Sequence, residues 1–183
     1  MKKIILCMLM ISVCMFIFLS GCTEACSIDE LYKVTYNNDF TYDYVIKDRS
    51  NNVLLSDKNV SRQPEITVIT KDLLRISVQT GTGISTCWTV YCDVTNGKTS
   101  EPYYSVLGEE GENVVYVNYN SGTYSVVVQS MFNQEQLREA ILVDASKVAD
   151  PVVSFEKTGN GKAKLIYLKG ETWEETSVTI DLQ

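Results

Sequence analysis

The chemistry open to this chain is narrowed first by an absence, because none of its 183 residues is histidine. Without imidazole there is no Ser-His-Asp triad and no His-containing zinc site, and the commonest general base is missing. The glycine-rich stretch Thr80-Gly81-Thr82-Gly83 lacks the Lys-Ser/Thr of a phosphate-binding loop. The groups left for chemistry are thiols, carboxylates and aromatic rings, and we expect no metal and no cofactor.

Among the thiols, Cys22 has the most informative surroundings. Lys2 and Lys3 are followed by a nearly unbroken apolar run over residues 4–19, and then by Ser20 and Gly21. A basic start, an apolar run and small residues predict a secretory signal peptide rather than part of the fold. The run is also shorter than the roughly 20 residues that a membrane-spanning helix needs. We therefore expect residues 1–21 to be removed.

The four residues Leu19-Ser20-Gly21-Cys22 resemble the lipobox of bacterial lipoproteins. In that family the Cys thiol receives a diacylglycerol, the chain is cut before the Cys, and the new amine often takes a further acyl chain such as palmitate. The resemblance covers residues 1–22 and implies that lipid on Cys22 holds the protein on the outer, extracytoplasmic face of the cell membrane. Thr23 follows instead of Asp, which is compatible with the outer membrane of a two-membrane bacterium.

The chain that would remain is acidic. It has 162 residues, of which 14 are basic and 23 acidic, for a net charge of −9. This sign disfavours nucleic-acid partners and close contact with an anionic lipid surface, so the lipid itself must supply the attachment. Residues 22–30 are mostly polar and predict a short tether, and residues 31–183 predict a single domain.

From Leu31 onward, short runs rich in Val, Ile, Thr and Tyr alternate with turn residues, which predicts an all-β domain. The predicted strands lie at 31–36, 42–47, 53–56, 66–70, 73–80, 86–95, 99–107, 114–119, 124–131, 152–157, 163–168 and 177–182. They group into four antiparallel meander units that begin near Leu31, Ile66, Val114 and Val152, as in a propeller or a sandwich.

One segment departs from this rhythm. Asn133 followed by Gln136 resembles a helix N-cap, and Leu137, Ala140 and Ile141 follow at helical spacing. These features predict a short helix near 134–142. The alternative is a strand over 137–144, because Ile141 and Val143 also alternate.

Aromatic residues supply the candidate ligand contacts. An aromatic platform for a sugar ring or a peptide could come from three neighbouring pairs, Tyr42 with Tyr44, Tyr103 with Tyr104 and Tyr116 with Tyr119, although tyrosine is also common at half-buried strand rims. Trp173 lies in the polar stretch Gly170–Glu175, where a large apolar ring either folds back onto a sheet edge or contacts a ligand.

The remaining thiols and acids predict structure rather than catalysis. Cys92 is in phase with Trp88 and Val90 on an apolar strand face, which predicts a small core residue. Cys87 and Cys92 lack two further zinc ligands. Glu109-Glu110-Gly111-Glu112 is too short for a calcium loop and predicts a solvated hairpin tip.

Taken together, these features predict a non-enzymatic, lipid-anchored protein that binds a protein or a cell-wall glycan. One alternative is an anchored carbohydrate-active hydrolase that uses two carboxylates, which can come from any part of a fold. Another is an inhibitor of an envelope enzyme. Ser121-Gly122-Thr123-Tyr124 is similar to the Ser-Gly-x-x-Tyr loop of bacterial lysozyme inhibitors, but it is one residue shorter.

Overall fold

The computed structural model describes residues 27–81, 87–147 and 150–183. In this part of the chain one short 3-10 turn, Ile28–Glu30, precedes fifteen strands. The strands are β1 (Tyr32–Tyr36), β2 (Tyr42–Lys47), β3 (Val53–Val60), β4 (Glu65–Thr70), β5 (Leu73–Gln79), β6 (Cys87–Asp93), β7 (Lys98–Thr99), β8 (Tyr103–Tyr104), β9 (Val106–Glu110), β10 (Asn113–Asn120), β11 (Thr123–Ser130), β12 (Gln136–Ile141), β13 (Val152–Gly159), β14 (Lys162–Lys169) and β15 (Glu174–Asp181).

The strands form four antiparallel sheets, each built from neighbours in sequence. The first sheet has the order β1-β2-β3, the second β4-β5-β6-β7 with β8 also paired to β6, the third β12-β11-β10-β9 and the fourth β13-β14-β15. Within the described residues none of the sheets closes on itself. The predicted all-β class and the four meander units are therefore confirmed.

The four sheets stack face to face, and the inner strands contribute side chains to the cores on both of their faces. Successive residues of a strand point to opposite faces of the sheet, so neighbours in sequence join different cores. On β5, Leu74 packs with the first sheet, whereas Leu73 packs in a cluster with Val114 of the third sheet. On β10, the next residue, Val115, packs with Leu165 of the fourth sheet. The second and third sheets are thus buried on both faces, and three cores connect the four sheets in series.

The predicted helix near 134–142 is wrong, because this segment is strand β12 on the edge of the third sheet. Arg138 lies opposite Val128 of β11. The side chain of Asn133 does accept a backbone N–H, but from Glu135 at 3.0 Å, and Gln134 has a positive φ of 57°. The capping residue therefore closes a turn. Pairing with the edge of β11 satisfies more backbone groups than an isolated short helix could.

The predicted strand 99–107 is also wrong, since it is broken into three short strands. β7 and β8 pair with opposite ends of β6, and Pro102 lies in the interruption between them. Proline has no N–H to give to a ladder, which explains the break. Ser105 then has a positive φ of 51°, and β9 enters the third sheet. The chain thus crosses between sheets here instead of completing a hairpin.

The folded part begins slightly earlier than predicted. Residues 28–30 form the 3-10 turn, Ile28 packs against the first core, and Leu31 is buried. The predicted tether 22–30 is therefore too long at its carboxyl end. Cys22 and the apolar run 4–19 lie outside the described residues. Within those that are described, no helix has the length and apolarity required to cross a membrane.

Candidate functional site

A groove crosses the edges of all four sheets on the side where β3, β8, β9 and β13 lie. It consists of three adjoining cavities of about 360, 420 and 420 Å³, one between each successive pair of sheets. Pro102 and Tyr104 line both the first and the second cavity, whereas Ser105, Val117 and Tyr119 line both the second and the third. The three cavities therefore adjoin one another in a row, and together they are called the tyrosine groove.

Strand β8 directs its two tyrosines in opposite directions. Tyr103 is 6% exposed, and its hydroxyl donates to the backbone oxygens of Ser130 at 3.2 Å and Met131 at 3.1 Å. Its ring lies 5.4 Å from that of Tyr116. Tyr103 therefore lies in the floor of the groove, where it lines the second cavity, and its role as a ligand contact stays a prediction. Tyr104 points outward and is 53% exposed.

The third sheet supplies the other rings of the groove. Tyr119 at the end of β10 is 62% exposed, and its ring centroid lies 4.6 Å from that of Tyr124 on β11. The Tyr116 hydroxyl donates to Gln129 Oε1 at 2.7 Å, which fixes that ring in the floor. Two of the predicted pairs, Tyr103 with Tyr104 and Tyr116 with Tyr119, therefore line the same cavity.

The predicted pair Tyr42 and Tyr44 does not form a platform, because Tyr44 is buried in the first core. Tyr42 instead belongs to a separate aromatic cluster at the β1–β2 turn with Tyr36 and Phe40. Phe40 is 79% exposed and has a positive φ of 64°. Sequence reasoning missed this residue. The available signal was a large apolar ring placed directly after the turn residues 37–39.

One carboxylate lies in each cavity of the groove. They are Asp57 in the first cavity, Glu101 in the second and Asp150 in the third. No lysine or arginine is found among the described residues that line the three cavities. The groove therefore carries negative charge along its whole length.

The same carboxylates act on the neighbouring phenols. Burial, followed by the charge of Asp57, raises the pKa of Tyr44 to about 12. Burial, with contributions from Tyr116 and Glu101, raises the pKa of Tyr103 to about 12. These hydroxyls stay protonated at neutral pH, so they serve as hydrogen-bond donors and acceptors and not as phenolate nucleophiles.

Trp173 lies in a different depression, lined also by Asp144, Lys147 and Glu171. It is 60% exposed and has a positive φ of 57° in the turn between β14 and β15. The alternative in which Trp173 folds back onto the sheet is therefore wrong. Asp144 is paired with Lys169 at 3.5 Å. The depression shares no lining residue with the tyrosine groove.

The predicted solvated tip at 109–112 is correct only in part. Glu110 is paired with Lys157 near the surface, but Glu109 is directed between the second and third sheets. Glu109 Oε1 accepts from Arg75 Nη1 at 2.9 Å and from the Tyr91 hydroxyl at 2.9 Å. Burial lowers the pKa of Arg75, but the hydrogen bond and charge of Glu109 outweigh this and raise it. Glu109 therefore connects two sheets.

The two described cysteines are unpaired. Cys92 is fully buried in the first core, which confirms its prediction, and Cys87 is half-buried. Burial raises the pKa of the Cys92 thiol to about 12, so it is not a nucleophile at neutral pH. In the part of the chain that the structure describes, no three His, Cys, Asp or Glu side chains are grouped so that they could hold a metal ion.

Comparison with known proteins gives no assignment by similarity, since the sequence matches no protein-family model and no curated protein.

Proposed function

We propose that the protein is a lipid-anchored binding protein of the bacterial envelope and that the tyrosine groove holds an extended ligand. The observation that carries this proposal is the row of three adjoining cavities lined by the exposed rings of Tyr104 and Tyr119. Exposed tyrosines above a rigid floor provide large contact areas at low entropic cost. The length of the groove suits a polymer better than a small compact molecule.

The proposed anchor leaves this groove accessible. Five residues lie between Cys22 and Ile28, where the fold begins, so the domain would lie within about 20 Å of the membrane. The chain enters the fold at one end of the first sheet, where the backbone N–H of Lys47 donates to the backbone oxygen of Leu31. At the same end, the backbone N–H of Arg49 donates to the backbone oxygen of Val94, the residue after β6. Trp88, which lines the groove, lies about 20 Å away near the other end of β6. The end of the groove at Trp88 would therefore be directed away from the lipid.

The charge pattern of the groove favours binding over hydrolysis. A two-carboxylate mechanism requires a facing pair of acids, about 5–9 Å apart. Of the described residues, only one carboxylate lines each cavity. Each therefore serves better as a fixed charge for recognition than as half of an acid–base pair.

Sedimentation of the mature protein with purified bacterial envelopes tests the binding function. The double change Tyr104→Ala and Tyr119→Ala should reduce the bound fraction at least fivefold, because both exposed rings are removed. Tyr36→Ala is a matched control, since Tyr36 is also 53% exposed but lies on β1, away from the groove. Equal binding by the double variant and the control would refute a function for the groove.

The anchor is tested separately. Cys22→Ser should abolish incorporation of labelled palmitate and release the protein from the membrane fraction, because the thiol at the lipobox position is lost. Cys26→Ser is the matched control and should leave both properties unchanged. Retention of the Cys22→Ser protein in the membrane fraction would contradict the lipid-anchor proposal.

Hydrolysis of a carbohydrate is a second candidate, favoured by the depression beside Trp173. An exposed indole there adjoins the carboxylates of Asp144 and Glu171. This candidate predicts release of reducing sugar from envelope polysaccharides, and loss of that activity in both Asp144→Asn and Glu171→Gln. If the unaltered protein releases no sugar, this candidate is excluded.

A further inference from the structure

From the charge and spacing of the tyrosine groove, we propose that its ligand is an extended basic polypeptide with a lysine or arginine at about every third residue. This inference rests on the proposed binding function and specifies the chemistry of the ligand. It concerns polypeptides and not neutral glycans, because a neutral glycan would leave three carboxylates of the groove without partners.

The first argument is the sign of the charge. Asp57, Glu101 and Asp150 are distributed one to a cavity, and none of the described lining residues opposes them with a positive charge. The expected mature chain has a net charge of −9. Such a field attracts cationic ligands and repels anionic ones. A basic ligand therefore complements both the groove and the whole domain.

The second argument is the pairing of each acid with an aromatic ring. The exposed ring of Tyr104 lines the first cavity with Asp57 and the second with Glu101, and the exposed ring of Tyr119 lines the third cavity with Asp150. An ammonium or guanidinium group is attracted both to a carboxylate and to the face of a tyrosine ring. Each cavity thus combines the two kinds of group that bind a lysine or arginine side chain.

The third argument is spacing. The cavities lie between successive stacked sheets, and stacked sheets are separated by about 10 Å. A polypeptide in the polyproline II conformation advances about 3.1 Å per residue with three residues per turn, so every third side chain lies on the same face and advances by about the same distance as the cavities. Side chains at positions i, i+3 and i+6 of a ligand would therefore reach the first, second and third cavities in turn.

Fluorescence anisotropy of labelled peptides with the mature protein tests this inference. One nonapeptide carries lysine at every third position among serines, a second has the same composition with its three lysines adjacent, and a third replaces each lysine with glutamate. The spaced basic peptide should bind at least fivefold more tightly than the adjacent one, and the acidic peptide should not bind. Raising the salt concentration from about 50 to 300 mM should weaken the binding, because salt screens the attraction between the charges of the peptide and those of the groove.

Substitutions of single carboxylates test where the peptide binds. The affinity for the spaced peptide should decrease about threefold to tenfold in each of the variants Asp57→Asn, Glu101→Gln and Asp150→Asn. It should stay unchanged in Glu174→Gln, which lies on β15 at the other edge of the fourth sheet. Because all four acids lie in the exposed or half-buried surface, none of these changes should unfold the domain. Circular dichroism of each variant checks this.

The outcomes separate this inference from the function on which it rests. Equal binding of the spaced and adjacent peptides, or an equal loss in Glu174→Gln, would overturn the inference by showing unspecific charge attraction. Binding of a neutral oligosaccharide that depends on Tyr104 and Tyr119, without binding of the basic peptide, would overturn the inference but keep the groove function. If neither ligand binds and the double tyrosine variant still sediments with envelopes like the control, both proposals fail.

Discussion

Replacing Glu109 with glutamine should destabilise the domain far more than the same change at the adjacent Glu110. The Glu109 side chain is 13% exposed and lies between the second and third sheets. One of its oxygens accepts from Arg75 at 2.9 Å and from Tyr91 at 2.9 Å, and Tyr91 is 0% exposed. Glu110 is paired with Lys157 at 2.7 Å, but these side chains are 34% and 48% exposed.

The expected size follows from these contacts. A hydrogen bond to a charged group contributes about 1 kcal/mol more than a neutral one, so removing the charge of Glu109 weakens two bonds by about 2 kcal/mol in total. An exposed ion pair such as Glu110 with Lys157 contributes at most about 0.5 kcal/mol after screening by solvent. For a domain of this size, 2 kcal/mol corresponds to a decrease in Tm of about 4–8 °C.

Urea unfolding followed by circular dichroism measures both variants. Glu109→Gln should lower the midpoint at an unchanged slope m, because the surface exposed on unfolding stays the same. Glu110→Gln controls for the loss of one negative charge from an acidic protein. Free energies of unfolding that differ by less than about 0.5 kcal/mol between the two variants would refute the view that Glu109 stabilises the contact between the two sheets.

Three further results are expected. Burial raises the pKa of Tyr44, Tyr103 and Cys92 to about 12. The folded state thus holds these protons more tightly than the unfolded chain, so stability should be constant up to about pH 9 and decrease from pH 9 to 12. A urea midpoint unchanged at pH 11 would contradict this. Leu165→Ala should cost about 3 kcal/mol, since Leu165 is fully buried in the core between the third and fourth sheets. A loss below 1 kcal/mol on urea unfolding would show that the core there is loosely packed. In the folded protein at pH 8 a thiol reagent should leave Cys92 unmodified and modify Cys87 slowly, with both reacting in denaturant. Rapid modification of Cys92 without denaturant would show that its core opens readily.

The strands could be predicted because their signals are local. In β5, Leu74, Ile76 and Val78 alternate with polar residues, and this pattern gives both the extended conformation and the buried face. The burial of Cys92 followed from its phase on β6 in the same way. The segment at 136–141 was mispredicted, because its apolar spacing suits a helix as well as a strand. The segment forms a strand because it pairs with the edge of β11, which would otherwise have no neighbour on that side.

The candidate groove could be predicted only as a group of tyrosines. Sequence placed Tyr103 and Tyr104 side by side, but it could not tell which would be buried. That depends on Met131, whose backbone accepts the Tyr103 hydroxyl from 28 positions away. Likewise Glu109 and Glu110 look alike in sequence and differ only because Arg75 of another sheet faces one of them. The acids of the groove are separated by more than 40 positions, so no spacing rule connects them.

Sequence by itself determined the all-β class and the four meander units, because each depends on residues close together in the chain. The lipobox at Cys22, and the charge of −9 that would follow from cleavage there, stay predictions. Tertiary structure alone decided which face of each sheet meets which neighbour, and therefore where the edges align to form the tyrosine groove. Alternation along a strand shows which residues share a face, but it does not show which other sheet packs against that face. That choice is made by the packing of side chains contributed by different sheets.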